Sequence, residues 1–216
     1  FFGLVLASIL YIAKQIQGWT AKIIIAVIIT SILSYFITLA EPFASPDSSL
    51  YLLFCGFIAI IAMILPGVSG AFILLILGAY QTAIDTINNL VEGLTTANMA
   101  LFKDALLKFT LLAIGAIIGL KVFSKTLNWM FKHQKNLTLA ILTGFMIGSL
   151  NKIWPWKKVL KTRINSEGET VTLLDKSILP NAYDGDNQLQ MALLFIVIGF
   201  AAILILESLG KQKNKA

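Results

Sequence analysis

The run Pro66-Gly67-Val68-Ser69-Gly70 has the residue types of an anion site made from backbone amides. Proline ends a helix, and a serine just before the next helix can act as its N-cap. The first amides of that helix then point into the break, where the helix dipole adds about half a positive charge. Glycines let a ligand approach the backbone closely, so we predict binding of a phosphate or carboxylate. A structural kink with close helix packing is the alternative. The predicted site residues here are Pro66, Gly67, Ser69 and Gly70.

Asn151 and Lys152 are the second candidate group, which we predict to hold a phosphate headgroup at the mouth of a cavity. Trp154 and Trp156 follow, with further lysines behind them. Tryptophan and lysine together are also typical of a membrane interface, where the rings sit at headgroup level and the amines reach water. Such an aromatic belt is the alternative explanation for these residues.

The sequence offers few other groups for chemistry. It contains one histidine, His133, and one cysteine, Cys55, and shows no Ser-His-Asp set, metal-ligand cluster or P-loop. A thiolate metal site or a disulfide framework needs more cysteines than one. We therefore predict no catalytic residues, no metal site and no cofactor, and a transporter rather than an enzyme.

The composition is that of a membrane protein. Of the 216 residues, 57% are hydrophobic and 13% are charged, whereas a soluble domain carries about 25% charged residues. The net charge of +6 arises from lysines placed between apolar runs. This pattern indicates membrane topology rather than binding of nucleic acid. We predict an all-α integral membrane protein, a polytopic helical bundle with the bilayer as its solvent.

A long uncharged stretch, residues 48–84, surrounds the Pro-Gly run. As one helix it would be about 55 Å long, too long for a single crossing of ~30 Å of hydrocarbon. The run divides the stretch into arms at residues 49–65 and 69–83, each short of a full span. We predict a re-entrant or broken helical hairpin; two complete, slightly short spans are the alternative. Further spans are predicted at residues 18–40, 105–120, 137–150 and 189–206.

The distribution of charge favours the hairpin and sets the predicted topology. Lys14 and Lys22 place the first connection inside, and the acidic connection at residues 41–47 lies outside. A re-entrant hairpin then returns the lysine-rich loop around residues 121–135 to the inside. We predict one polytopic domain over residues 1–210. Its polar parts are an extracytoplasmic loop at 157–188, with a turn at 165–169 between short strands, and a basic cytoplasmic tail at 211–216.

Two stretches of the chain resemble one bacterial membrane family. The first runs from Phe54 to Phe72 through the Pro-Gly-Val-Ser-Gly run and continues in Leu77-Gly78-Ala79-Tyr80. The second covers residues 137–150 and Ile153-Trp154-Pro155-Trp156. Both motifs, in this order, are similar to those of the polyprenyl-phosphate (undecaprenyl-phosphate) transporter family, formerly a domain of unknown function. The similarity covers essentially the whole chain.

The resemblance implies translocation of undecaprenyl phosphate, the C55 lipid carrier, across the bacterial cytoplasmic membrane for recycling in peptidoglycan and other envelope polymer synthesis. It also implies an inverted-repeat transporter with one Pro-Gly-x-Ser-Gly motif in each half. Because the chain contains only the second motif, we expect it to be the C-terminal two-thirds of a member, with an N-terminal part missing. Ala71 and Gln81 stand where relatives often have Ser and Glu, so no role of those side chains is carried over.

Three other functions remain open from the residues: a secondary transporter of a small anion or solute with a re-entrant hairpin site, an intramembrane enzyme acting on prenyl lipid phosphates, and an accessory subunit. The expected partners are the polyprenyl phosphate lipid and the bilayer, and not nucleic acid. Assembly into a homo-oligomer is left open.

Overall fold

Helices make up most of the computed structural model, which describes residues 1–40, 48–164 and 170–213. The helices are α1 (Phe2–Lys14), α2 (Ala21–Leu39), α3 (Ser49–Ile64), α4 (Gly70–Ile76), α5 (Tyr80–Thr95), α6 (Met99–His133), α7 (Lys135–Ser149) and α8 (Leu189–Lys213). Two strands, β1 (Lys157–Ile164) and β2 (Thr170–Ser177), and a 3-10 turn at Pro180–Ala182 lie between α7 and α8. The predicted class, an all-α polytopic membrane protein, is confirmed.

Three helices in the described ranges are long and apolar enough to cross a bilayer: α2, α6 and α8. The bent pair α4 and α5 would be a fourth span if counted as one. The apolar side chains of these helices point outward; none of the apolar window of α8 is buried, and Phe36 on α2 is 63% exposed. Since water would penalise so much apolar surface, these faces are the ones that contact lipid.

The chain divides into two compact units. Unit 1 comprises residues 1–39, 133–162 and 172–216, and unit 2 comprises residues 40–132 and 163–171. Unit 1 therefore holds α1, α2, α7, α8 and the base of the β-hairpin, while unit 2 holds α3, α4, α5 and nearly all of α6. The single domain over residues 1–210 stays a prediction.

Helices α2 and α7 pack side by side at the centre of unit 1. A Cβ on Gly144 would lie 2.6 Å from the carbonyl oxygen of Val27, and one on Gly148 would lie 2.4 Å from that of Ser31. Only glycine allows such an approach, because any side chain would overlap the backbone of the neighbouring helix. Gly144 and Gly148, four residues apart on α7, thus form a helix-packing motif.

Hydrogen bonds along the same contact show that α2 and α7 run parallel. From one end to the other, the bonded pairs are Gln17 with Asn136, Ser34 with Phe145, and Thr38 with Asn151. The α1–α2 connection and the start of α7 therefore lie at the same end of unit 1. This agrees with the charge pattern, which places both connections on one side of the membrane.

The broken hairpin lies in unit 2 and differs from the prediction in its second arm. The sequence predicts a single helix over residues 69–83, whereas the structure ends α4 at Ile76 and begins α5 at Tyr80, at an angle of 108° to it. Gly78, with φ of 69°, permits the turn. The Tyr51 hydroxyl donates a hydrogen bond of 2.7 Å to the carbonyl oxygen of Leu77, which the end of α4 leaves without a helical partner. The second arm is therefore only seven residues long.

Helix α6 is much longer than the span predicted at residues 105–120. It continues through Lys121, Lys125 and Lys132 to His133, so these residues are helical rather than part of a loop. The segment from 121 to 133 contains no glycine or proline, and nothing in it stops a helix. At 35 residues the helix is about 52 Å long and exceeds the ~30 Å hydrocarbon thickness.

The predicted polar loop at residues 157–188 contains the predicted pair of short strands. Residue 178 donates its amide to the carbonyl of Trp156 at 3.0 Å, which extends the β1–β2 pairing beyond the strand ends. Helix α8 runs to Lys213, so the predicted tail at 211–216 begins as helix. The predicted turn at 165–169, the acidic connection at 41–47 and residues 214–216 lie outside the described residues.

Candidate functional site

The backbone of the Pro-Gly break follows directly from its residues. Leu65 is extended, with ψ of 123°, as expected for a residue whose helical conformation is blocked by the following Pro66. Gly67 has φ of 88°, a left-handed conformation that residues with a side chain rarely adopt. Ser69 is extended again, and its Oγ accepts a hydrogen bond of 3.3 Å from the amide of Phe72. The predicted N-cap at Ser69 is confirmed.

Gly70 has a packing role at the break. It is buried, and a Cβ there would lie 2.3 Å from Cγ of Met63 and 2.8 Å from the carbonyl oxygen of Ala59, both on α3. The missing side chain thus lets the two arms of the hairpin approach each other. Gly67 and Ser69 are exposed, so they are the part of the run that a ligand can reach.

The break provides dipoles but no charged side chain. Residues 48–84 contain no acid or base, and α4 contributes the amides of its first turn, which lack partners within the helix. With seven residues, α4 is a short helix. An anion at this point would be held by amide groups and the Ser69 hydroxyl alone, without an ion pair from this segment.

Asn151 and Lys152 belong to unit 1, where they join a partly buried polar cluster. Lys152 Nζ lies 3.3 Å from both carboxylate oxygens of Asp175, and Lys157 Nζ lies 3.4 Å from one of them. Lys157 also donates to the carbonyl oxygen of Asn151 at 2.7 Å and to Ser177 Oγ at 3.1 Å. We call Asn151, Lys152, Lys157, Asp175 and Ser177 the Lys152–Asp175 cluster.

The cluster is anchored to the helices and to the hairpin. The Asn151 amide donates to Thr38 Oγ1 at 2.7 Å, which ties the cluster to the end of α2. The Ser177 hydroxyl donates to Asn151 Oδ1 at 2.8 Å, which ties it to β2. Beside it, the Trp154 and Trp156 rings stack edge to face with centroids 5.4 Å apart. These contacts fix the two lysines in place at the base of the β-hairpin.

Charge is unbalanced in the cluster, because two lysines share one carboxylate. Burial lowers the pKa of Lys157 from its usual 10.5; the Asp175 carboxylate opposes this shift and the neighbouring Lys152 adds to it. The side chains are 30% exposed for Lys152, 19% for Lys157 and 20% for Asp175. A partly desolvated site with one excess positive charge is suited to an anion.

Three members of the cluster were not predicted from the sequence: Lys157, Asp175 and Ser177. A signal for all three exists in the strand register. Lys157 and Ser177 are the first residue of β1 and the last of β2, and Asp175 lies two positions earlier on β2. Residues two apart on a strand share a face, so correct pairing of the strands would have placed all three together.

The predicted site residues thus fall into two sets. Pro66, Gly67, Ser69 and Gly70 lie together at the α3–α4 break in unit 2, and Asn151 and Lys152 lie together in unit 1. In the described part of the chain, no group of three or more His, Cys, Asp or Glu side chains is arranged to hold a metal ion. The break offers a ligand backbone amides and the Ser69 hydroxyl, and the second set offers the Lys152 ammonium group and the Asn151 side-chain amide.

Two curated relatives are named transporters. The chain is 36% identical over 216 residues to the polyprenyl-phosphate transporter of Vibrio cholerae serotype O1, matching 100% of this chain and 66% of that protein. It is 33% identical over 102 residues to the polyprenyl-phosphate transporter of Staphylococcus aureus, matching 46% of this chain and 32% of that protein. The chain therefore spans less than two thirds of the length of either relative. No solved structure matches the chain.

One protein family matches most of the chain. Its description is undecaprenyl phosphate translocase-like, and the match covers residues 1–171. The expected placement of the chain as the C-terminal two-thirds of a member is wrong, because the match begins at residue 1 and ends before α8. The match includes both candidate groups, the Pro-Gly break and the start of the Lys152–Asp175 cluster. With well over half of its residues matched, the chain belongs to the undecaprenyl phosphate translocase-like family.

Proposed function

We propose that this protein translocates a polyprenyl phosphate, with undecaprenyl phosphate as the substrate, across the bacterial cytoplasmic membrane without catalysing a reaction. The family match and the names of both relatives support this function. Several outward-facing apolar helices support a multi-pass protein in the membrane. The transported carrier would be recycled for the synthesis of peptidoglycan and other envelope polymers.

The structural observation that carries the proposal is the charge of the Lys152–Asp175 cluster. Its two ammonium groups face a single carboxylate, and the lysine side chains that carry them are only 30% and 19% exposed. A phosphate monoester supplies the missing negative charge and several acceptor oxygens. Trp154 and Trp156 lie next to the cluster, and such rings mark headgroup depth in membrane proteins. A lipid phosphate is therefore the anion that best fits both the charge and the position.

Within this proposal the two groups of residues have different tasks. Lys152 and the side-chain amide of Asn151 hold the phosphate at the base of the β-hairpin, next to the ends of α2 and α7. At the α3–α4 break, the exposed Gly67 and Ser69 offer hydrogen-bond donors to a phosphate that reaches this point, and Pro66 and Gly70 shape the break. The polyprenyl tail stays in the bilayer, where the outer faces of the helices are apolar and impose no desolvation cost.

Binding to the purified full-length protein in an uncharged detergent tests the function. We expect undecaprenyl phosphate to bind more tightly than undecaprenol, which lacks the charge. Lys152→Gln should weaken the binding of the phosphate about fivefold or more, because it removes a charge from a partly buried site. Lys158→Gln is the matched control, since Lys158 is the next lysine on β1, exposed and outside the cluster.

Each outcome decides between the candidate functions. Loss of binding in Lys152→Gln alone, together with undecaprenyl phosphate transport in proteoliposomes, supports the lipid translocase. Equal binding of undecaprenol and its phosphate, unchanged by Lys152→Gln, would contradict it. Transport of inorganic phosphate or another small anion, with no effect of the lipid, would instead favour the small-anion transporter.

A further inference from the structure

Asp175 occupies the position that an anionic ligand of the cluster would take. Its carboxylate lies between the ammonium groups of Lys152 and Lys157, at 3.3 and 3.4 Å. These distances exceed the ~2.8 Å typical of a strong charge-assisted hydrogen bond. Lys157 has closer neutral acceptors in the Asn151 carbonyl and Ser177 Oγ. The carboxylate is thus a loosely held internal anion that a ligand must displace or outcompete.

The charge of the ligand decides whether this exchange is favourable. A phosphodiester carries one negative charge, the same as the carboxylate, so exchanging one for the other leaves the excess charge of the two lysines unchanged. A phosphomonoester carries about −1.5 to −2 at pH 7, because its second pKa is near 6. It therefore neutralises the lysines more completely than Asp175 does.

We propose that Asp175 is a specificity-determining residue that admits phosphomonoester lipids to the Lys152–Asp175 cluster and excludes phosphodiester lipids. This inference rests on the proposed function and extends it from the substrate to the means of selection. Selection is needed because the phospholipids that surround a membrane protein are phosphodiesters in large excess over any carrier lipid. A site made of two lysines alone would bind their headgroups too.

The surroundings of the carboxylate support this role. The charged groups that contact it are Lys152, which follows α7, and Lys157 on β1. Asp184 lines the same cavity as Lys157. Helix α2 contributes only a neutral group to the cluster: the Thr38 hydroxyl oxygen, which accepts a hydrogen bond from the Asn151 side chain. Both lysines contact the Asp175 carboxylate, so a ligand that binds them exchanges with Asp175.

Competition binding on the full-length protein in an uncharged detergent tests the inference. Undecaprenyl phosphate is titrated with and without a large excess of phosphatidylglycerol, an anionic phosphodiester. In the wild type, phosphatidylglycerol should leave the Kd unchanged. In Asp175→Asn, undecaprenyl phosphate should bind about fivefold more tightly. The expected factor is this small because solvent partly screens the charges of the two lysines and Asp175. Phosphatidylglycerol should now compete in this variant.

Two further variants distinguish the loss of the Asp175 charge from a structural disturbance caused by the substitution. Asp175→Glu keeps the charge and should keep the discrimination. Asp186→Asn removes an exposed acid of the same polar segment and should behave as the wild type. Weaker binding of undecaprenyl phosphate by Asp175→Asn, or unchanged resistance to phosphatidylglycerol, would overturn the inference.

A pH series on the wild type tests the same idea without any substitution. Between about pH 7.5 and pH 5.5 the monoester gains a proton and approaches a single charge. Binding should weaken over this range in the wild type and less so in Asp175→Asn; a flat wild-type profile contradicts the inference. A wild type that binds no undecaprenyl phosphate at any pH refutes the proposed function itself. Binding without discrimination between the two lipids refutes only the role of Asp175.

Discussion

Alanine at Gly148 is expected to separate α2 from α7 and thereby loosen the Lys152–Asp175 cluster. A Cβ at this position would lie 2.4 Å from the carbonyl oxygen of Ser31 and 2.8 Å from the amide nitrogen of Tyr35. Both are backbone atoms, which cannot rotate away as a side chain could. Ordinary contact begins near 3.4 Å, so α7 must move by the difference, about 1 Å.

The cost follows from the packing and from the bonds that span it. Overpacking of this kind destabilises by about 1–3 kcal/mol. The same movement stretches the Ser34–Phe145 and Asn151–Thr38 hydrogen bonds, now 2.9 and 2.7 Å, each worth about 0.6 kcal/mol in a membrane protein. Alanine offsets about 1 kcal/mol through its better helix propensity. The free energy of unfolding should therefore fall by about 1–3 kcal/mol, which lowers Tm by about 2–12 °C for a chain of this size.

Thermal unfolding of the full-length protein in detergent, followed by tryptophan fluorescence, measures this change. Gly199→Ala is the matched control, because a Cβ there would lie 3.2 Å from the Leu4 amide nitrogen and needs only a small adjustment. We expect the control to unfold near the wild-type temperature. An unaltered Tm for Gly148→Ala, with unaltered binding at the cluster, would show that α2 and α7 are not held as closely as the structure indicates.

Three further changes have defined outcomes. Gly67→Ala should lower the free energy of unfolding by about 1–2 kcal/mol, since φ of 88° suits only glycine. The measured quantity is Tm, and an unchanged Tm would show that alanine is not strained at this position. Tyr51→Phe should cost about 1 kcal/mol and speed amide exchange at the α4–α5 turn, because the Leu77 carbonyl loses its donor; unchanged exchange would argue against this bond. Burial lowers the pKa of Lys157 below its usual 10.5, so between the lowered pKa and 10.5 the unfolded chain binds more protons. The free energy of unfolding, relative to that of Lys157→Gln, should therefore rise with pH across that window. Urea unfolding at several pH values measures it, and a decrease with pH would refute the lowered pKa of Lys157.

Much of the fold could be predicted because its signals are local. Uncharged runs of membrane length indicate spans wherever they occur, since the bilayer rejects charge regardless of the rest of the fold. The break at Pro66, the left-handed Gly67 and the N-cap at Ser69 are likewise consequences of single residues and their neighbours. These features are correct in the structure because they depend on a few consecutive dihedral angles.

Features that depend on distant partners could not be predicted in the same way. The length of α4 depends on a turn whose carbonyl is satisfied by Tyr51, 26 residues earlier in the chain. The packing role of Gly70 depends on α3 folding back against it. In both cases the residue type allows several conformations, and the contact with another helix selects one.

The candidate anion site shows the same division. Lysines and tryptophans near the end of α7 can be recognised from composition, because basic and aromatic residues collect at membrane interfaces whatever the fold. The pairing of Lys152 with Asp175 joins residues 23 positions apart through the register of a β-hairpin. A shift of that register by one residue would turn Asp175 to the opposite face of the sheet and leave the two lysines without their carboxylate. Residue types thus predict a positive site at this interface, and strand pairing in three dimensions decides which acid lies against its lysines.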